Sequence, residues 1–177
     1  GLLLMGGFLF FLLLESWNPA TFSKLTWGER LSAAFFHSAT PRSAGFYTID
    51  IGNMLPSSQL LLIILMFIGA SSGGTGGGIK TNTFVVLILA TLNTFRGGGP
   101  IHAFHRTIAT DTVMRALAVV ISSIACVITV ALLLTITEAT LEAQFLEVLF
   151  EATSAFSTTG LSMGLTPELS SIGKIII

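Results

Sequence analysis

Charge is scarce in this sequence. Lys, Arg, Asp and Glu make up 10% of the residues, against about a quarter in an ordinary soluble domain. The formal net charge is −1, which leaves no basic surface for nucleic acid and no strong field for an acidic partner. Cysteine is nearly absent. Cys126 alone excludes an internal disulfide, and its place inside an apolar run reads as a small core residue. Ahead of the apolar residues 2–14 stands neither an initiator methionine nor a basic segment, and no cleavage signature follows. That stretch therefore reads as the tail of a membrane helix rather than a signal peptide. What the sequence has instead is hydrophobic side chains, 52% of the total, with a mean hydropathy of +0.86. That balance belongs to the membrane class. Both ends run into apolar residues, so the sequence reads as a portion of a longer chain.

Four apolar stretches stand out: residues 2–14, 60–70, 83–95 and 114–136. Only the last is a complete span, rising about 34 Å as a helix against a hydrocarbon core of about 30 Å. The second and third are joined by Gly69-Ala-Ser-Ser-Gly-Gly-Thr-Gly-Gly-Gly78. So much glycine cannot hold a helix, since each costs about 1 kcal/mol relative to alanine. Residues 60–95 read as one long helix broken near its middle. Unwound backbone inside a membrane must be buried in protein or line a watery cavity, so the break is expected to be functional. Arg96, Arg106 and Arg115 face only Asp111 in the segment after the third stretch, while the other acidic residues gather around 17–50 and 138–168. Positive-inside bias places 96–115 in the cytoplasm and the acidic regions outside, with Trp17 and Trp27 in an outer interfacial belt.

Two shorter segments, 29–37 and 145–154, read as helices too short to span. Each runs into small polar residues and a glycine: Ser38-Ala-Thr-Pro-Arg-Ser-Ala-Gly-Phe46 and Thr153-Ser-Ala-Phe-Ser-Thr-Thr-Gly-Leu161. Setting Gly45 on Gly160, an offset of 115, pairs Leu31 with Leu146, Phe35 with Phe150, Ser38 with Thr153 and Ser43 with Thr158. It lays the first apolar run on 117–129. The order helix, short helix, glycine turn thus occurs twice, as in an internal repeat. A cation that sheds its water needs replacement oxygens, and backbone carbonyls supply them where the chain is extended and unobstructed. Glycine permits the required backbone angles, and a short helix ending in mid-membrane aims its negative end at the cation. A pair of re-entrant turns with no ion is the plainer alternative.

Three motifs carry a family resemblance: Thr40-Pro-Arg-Ser-Ala-Gly-Phe46; the glycine break 69–78 followed by Ile79-Lys80-Thr81; and Phe150-Glu-Ala-Thr-Ser-Ala-Phe-Ser-Thr-Thr-Gly-Leu161. In this order they resemble the third and fourth pore-loop repeats of the potassium-transporter superfamily of TrkH and KtrB, with the related plant and fungal HKT and Trk proteins. The resemblance implies an all-α integral membrane protein of helix–pore loop–helix repeats around a potassium-channel-like pore. Residues 1–95 would form one repeat, 96–113 a cytoplasmic linker, and 114–177 a second repeat truncated before its last helix. It implies a selectivity filter at Ala44, Gly45, Phe46, Thr158, Thr159, Gly160 and Leu161. It also implies an obstructing, gating loop at Gly73, Gly74, Thr75, Gly76, Gly77 and Gly78, with Lys80 beside it. The implied function is potassium uptake by the pore-forming subunit of a multi-pass cell-membrane transporter. A homodimer of full-length chains and a cytosolic nucleotide-binding regulatory subunit are the implied partners beside membrane lipid. K+ would be cargo, and no covalent cofactor or resident metal is expected.

Arg42 is a cation beside a cation path. Pairing with a carboxylate, Glu151 before Asp50, is the expected way to support the filter and neutralise it. Other readings are weaker. Ile79 separates Gly78 from Lys80, so the glycine stretch lacks the Gly-Lys-Thr of a phosphate loop. His102 and His105 lack a third metal ligand and read as solvated, and His37 reads as a hydrogen-bonded structural residue. An intramembrane serine hydrolase would need a serine with a histidine base, and no Gly-x-Ser-x-Gly elbow is present. A sodium-permeable or sodium-coupled member of the same superfamily is the nearer alternative.

Overall fold

The computed structural model describes residues 2–42, 45–71, 73–74, 76–97, 101–103, 106–138 and 143–177. Ser43, Ala44, Thr75 and His105, named above, lie outside them. Seven α-helices carry the described fold: α1 (Leu2–Glu15), α2 (Trp27–Ala39), α3 (Pro56–Phe67), α4 (Thr81–Phe95), α5 (Thr110–Thr137), α6 (Phe145–Phe156) and α7 (Ser171–Ile176). α5 is long and apolar enough to cross a membrane, while α1, α3 and α4 are shorter apolar helices.

In the segment between α4 and α5, β1 (Ile101–Ala103) pairs antiparallel with β2 (Arg106–Ile108), Ile101 opposite Ile108, and the regular structure is otherwise helical among the described residues. The second half ends in the short helix α7.

The helix limits follow from their caps. α2 and α6 each start with a carboxylate three residues past the cap, which accepts the cap residue's N–H. Glu29 Oε2 takes Thr26 N–H at 2.8 Å, and Glu147 Oε2 takes Gln144 N–H at 3.1 Å. The same Glu29 oxygen takes the Thr26 hydroxyl at 2.9 Å. The backbone bond first, then the hydroxyl, holds the Glu29 carboxyl below its ordinary range. α3 opens with Pro56 at its first position, where no N–H is missed. α5 buries only a narrow stripe, Ala116, Ser123, Val127, Ala131 and Leu134. Cys126 lies one residue, about 100°, off that stripe and is exposed, contrary to its reading as a core residue.

The two halves share a core. Phe150 and Leu161 pack into the cluster of Phe11, Phe22, Ala34, Ile51, Leu62 and Met66, and a second cluster joins Val127, Ala131 and Leu134 to Val148, Ala152, Leu165 and Leu169. They also share a set of hydrogen bonds at the expected offset. Short 3-10 turns stand 115 positions apart at Ile51–Asn53 and Thr166–Glu168, as do the helix caps Leu55 and Ser170. The Gln59 amide donates to Gly52 O at 3.4 Å, and at the matching positions Lys174 Nζ donates to Pro167 O at 3.2 Å. The N–H of Leu55 goes to Glu15 Oε1 at 2.9 Å, and that of Ser170 to Glu138 Oε1 at 3.2 Å. Glu15 and Glu138 are both buried.

Those carboxylates stand 123 positions apart, not 115. On this measure α1 matches the C-terminal part of α5, 125–138, rather than 117–129. The first half is longer in two places: between Glu15 and the α2 cap, and between that cap and Gly45, where the 3-10 turn Thr40–Arg42 intervenes.

Candidate functional site

The glycine turns after α2 and α6 meet. Gly45 has φ +67 and Gly160 has φ +79, angles that side-chain-bearing residues rarely adopt. A Cβ on Gly45 would collide with the carbonyl oxygen of Thr159, whereas nothing lies within 4 Å of the corresponding position on Gly160. The Thr159 hydroxyl lies 2.6 Å from that of Ser157 and donates to Pro41 O at 3.3 Å. A side chain on α6's turn is thereby tied to the 3-10 turn after α2. On the first turn, Thr40 Oγ1 donates to Phe46 O at 2.5 Å. His37 is buried between Phe11 and Phe36, with Nε2 3.4 Å from Thr48 Oγ1. It is a packed, hydrogen-bonded residue, although its Nδ1 has no partner. Beside Gly160 and Leu161 opens a cleft of about 600 Å³, lined also by Tyr47, Glu151, Thr158 and Ser162.

The glycine break lies directly beneath the second turn. α3 ends at Phe67, and the chain returns to its starting point, with Ile79 N–H donating to Phe67 O at 2.9 Å. The two ends of the break, Gly69 and Gly78, therefore adjoin, which a simple kink would not bring about. Gly77 N–H donates to Thr158 Oγ1 at 3.0 Å, and a Cβ on Gly77 would lie 2.7 Å from the Ser157 carbonyl. Only glycine allows that approach. Thr158 has φ +54, a costly angle for a β-branched residue; its hydroxyl is the one that holds the loop. Lys80 Nζ is turned back onto the loop's carbonyls, Gly74 O at 3.0 Å and Gly76 O at 2.6 Å.

The Arg42–Glu151 pair is not formed. Glu151 Oε1 accepts from Ser162 Oγ at 2.5 Å and Met163 N–H at 3.0 Å, and Oε2 from Thr166 Oγ1 at 2.7 Å. Neutral donors have taken both oxygens. Asp50, the other expected partner, caps its own turn through Gly52 N–H and Asn53 Nδ2. Arg42 is half-buried with its Nε unpartnered. Sequence reasoning also missed Glu15 and Glu138. A carboxylate ending an apolar helix is disfavoured by the helix dipole there, and that was the available sign of a distant donor.

The family model described as "Cation transport protein" (TrkH) matches residues 2–177. The chain belongs to the TrkH family. It is 45% identical over 176 residues to Ktr system potassium uptake protein B of Vibrio alginolyticus, covering 99% of this chain and 38% of that protein. It is 42% identical over 177 residues to potassium/sodium uptake protein NtpJ of Enterococcus hirae, covering 99% and 39%. It is 42% identical over 165 residues to Ktr system potassium uptake protein B of Bacillus subtilis, covering 93% and 36%. The chain thus spans under two-fifths of the length of these relatives. Membership of a family described by cation transport leaves the serine hydrolase reading without support.

Proposed function

We propose that this TrkH-family chain supplies two pore-loop repeats, residues 1–95 and 114–177, to a potassium uptake transporter. The supporting observation is the junction at which two glycine turns with left-handed angles abut, each at the C-terminal end of a short helix, with a glycine loop bonded beneath one of them. In this reading Gly45, Phe46, Thr158, Thr159, Gly160 and Leu161 offer carbonyl oxygens to a dehydrated cation, and Ala44 belongs with them. Residues 73–78 form a movable barrier below, and Lys80 holds the closed arrangement through Gly74 and Gly76. Residues 96–113 face the cytoplasm, and the full-length subunits pair and respond to a cytosolic nucleotide-binding subunit. The test is K+ uptake by the intact transporter in cells lacking their own uptake systems. Gly45→Ser and Gly160→Ser should each reduce discrimination of K+ from Na+ in protein that still reaches the membrane, and unchanged discrimination in both refutes the filter assignment. The Enterococcus hirae relative is named for both potassium and sodium. A sodium-permeable or sodium-coupled transporter is therefore the second reading, distinguished by Na+ uptake in the same cells.

A further inference from the structure

Glu151 is a buried carboxylate met by neutral donors. It is 3% exposed, and its three bonds come from Ser162, Met163 and Thr166. The location of those donors is informative. Gly160 and Gly164 both have left-handed angles, φ +79 and +99, with nothing within 4 Å of a Cβ on either. The segment between them, 161–163, has no regular secondary structure, so its course depends on what it bonds to. Glu151 accepts from that segment at Ser162 and Met163, and again beyond Gly164 at Thr166. It also borders the cleft beside Gly160. Among the described residues no carboxylate bonds the first turn, which is held by the Thr40 hydroxyl and the His37–Thr48 contact.

We propose that Glu151 is a positioning residue for ion selectivity. Its carboxylate orients the backbone of residues 158–161 through the strap 161–166, and places a fixed negative charge behind one side of the cation path. This rests on the pore reading above. In a low-dielectric wall such a charge acts on a nearby cation far more strongly than it would in water.

The test uses the intact transporter, with KM and Vmax for K+ uptake, discrimination against Na+, and thermal unfolding of the purified protein. Glu151→Gln keeps the shape and one accepting oxygen but removes the charge. The expected result is a rise in KM and a fall in discrimination of about tenfold each, the scale of one lost charge-assisted hydrogen bond, with Vmax per folded molecule near that of the parent. Glu151→Asp should recover part of the discrimination. The double variant Ser162→Ala, Thr166→Val leaves the charge and cuts two ties; it should also lose discrimination, and it decides the matter if Glu151→Gln does not reach the membrane. Parent-like KM and discrimination in a folded Glu151→Gln overturn the proposal, as does a fall in Vmax alone, which would make Glu151 a folding residue. A parent that carries no K+ would defeat the pore reading itself, a result separable from the failure of Glu151 alone.

Discussion

Alanine at the two turn glycines should produce unequal damage. Each substitution forces a side chain into the left-handed region, which costs about 1–2 kcal/mol. At Gly160 that is the whole cost, because the space beside its Cα is open. At Gly45 the new methyl group also meets the Thr159 carbonyl oxygen. Thr159 cannot retreat freely, since its hydroxyl is tied to Ser157 and Pro41. Overpacking of this kind adds about 1–3 kcal/mol. Gly45→Ala should therefore lose about 2–5 kcal/mol, against about 1–2 kcal/mol for Gly160→Ala. It should also displace the Thr159 carbonyl and so perturb uptake by way of the opposite turn. The assay is thermal or denaturant unfolding of the purified intact transporter, with K+ and Na+ uptake measured beside it. Equal losses, or a larger loss at Gly160, would refute the claim that the turns are in contact.

Three further outcomes are expected. Arg42→Met should stay within about 1 kcal/mol of the parent, because no ion pair is broken; a loss of about 3–5 kcal/mol would restore the buried-pair account. Deleting residues 71–77 should raise K+ flux and weaken its dependence on a cytosolic partner, and unchanged flux with unchanged regulation would make the loop structural. The bonds to Thr26 lower the Glu29 carboxyl in the folded state. Their contribution is therefore present above the ordinary carboxylate value of 4.5 and lost as pH falls through the lower folded value. A pH series of melting temperatures should show this part of the acid loss vanish in Glu29→Gln, and an identical profile in both proteins would remove Glu29 from the account.

The sequence made the short helices legible because their signals are local. A carboxylate three residues past the cap and a glycine beyond the end bracket α2 and α6 within two residues of their expected limits on either side. The long apolar run likewise gave α5 with little ambiguity. The strand pair Ile101–Ala103 and Arg106–Ile108 is not legible in the sequence, because strands of three residues carry no measurable periodicity. The pairing of Arg42 failed for a different reason. Formal charge was matched to formal charge, while the carboxylate's actual needs were met by two hydroxyls and one backbone N–H whose positions depend on how the strap folds back. The offset of 123 at the outer helices was hidden by two insertions in connections, where length is least constrained. The glycine break was recognised as unwound, but its contact with Thr158 joins positions far apart in the chain, and composition is silent on that.

The paired clamps at Leu55 and Ser170 also shape what an arriving ion would meet. An α-helix carries roughly half a positive charge at its N-terminus and half a negative charge at its C-terminus. In the proposed orientation α3 and α7 begin near the outer side and would present their positive ends to an incoming cation. Glu15 and Glu138 sit on those ends, each accepting the cap residue's N–H, and would offset that repulsion locally. α2 and α6 finish at the glycine turns, with their negative ends toward the junction. On the proposed reading, two carboxylates buried as backbone clamps would leave the entrance neutral and the narrow point attractive to a cation.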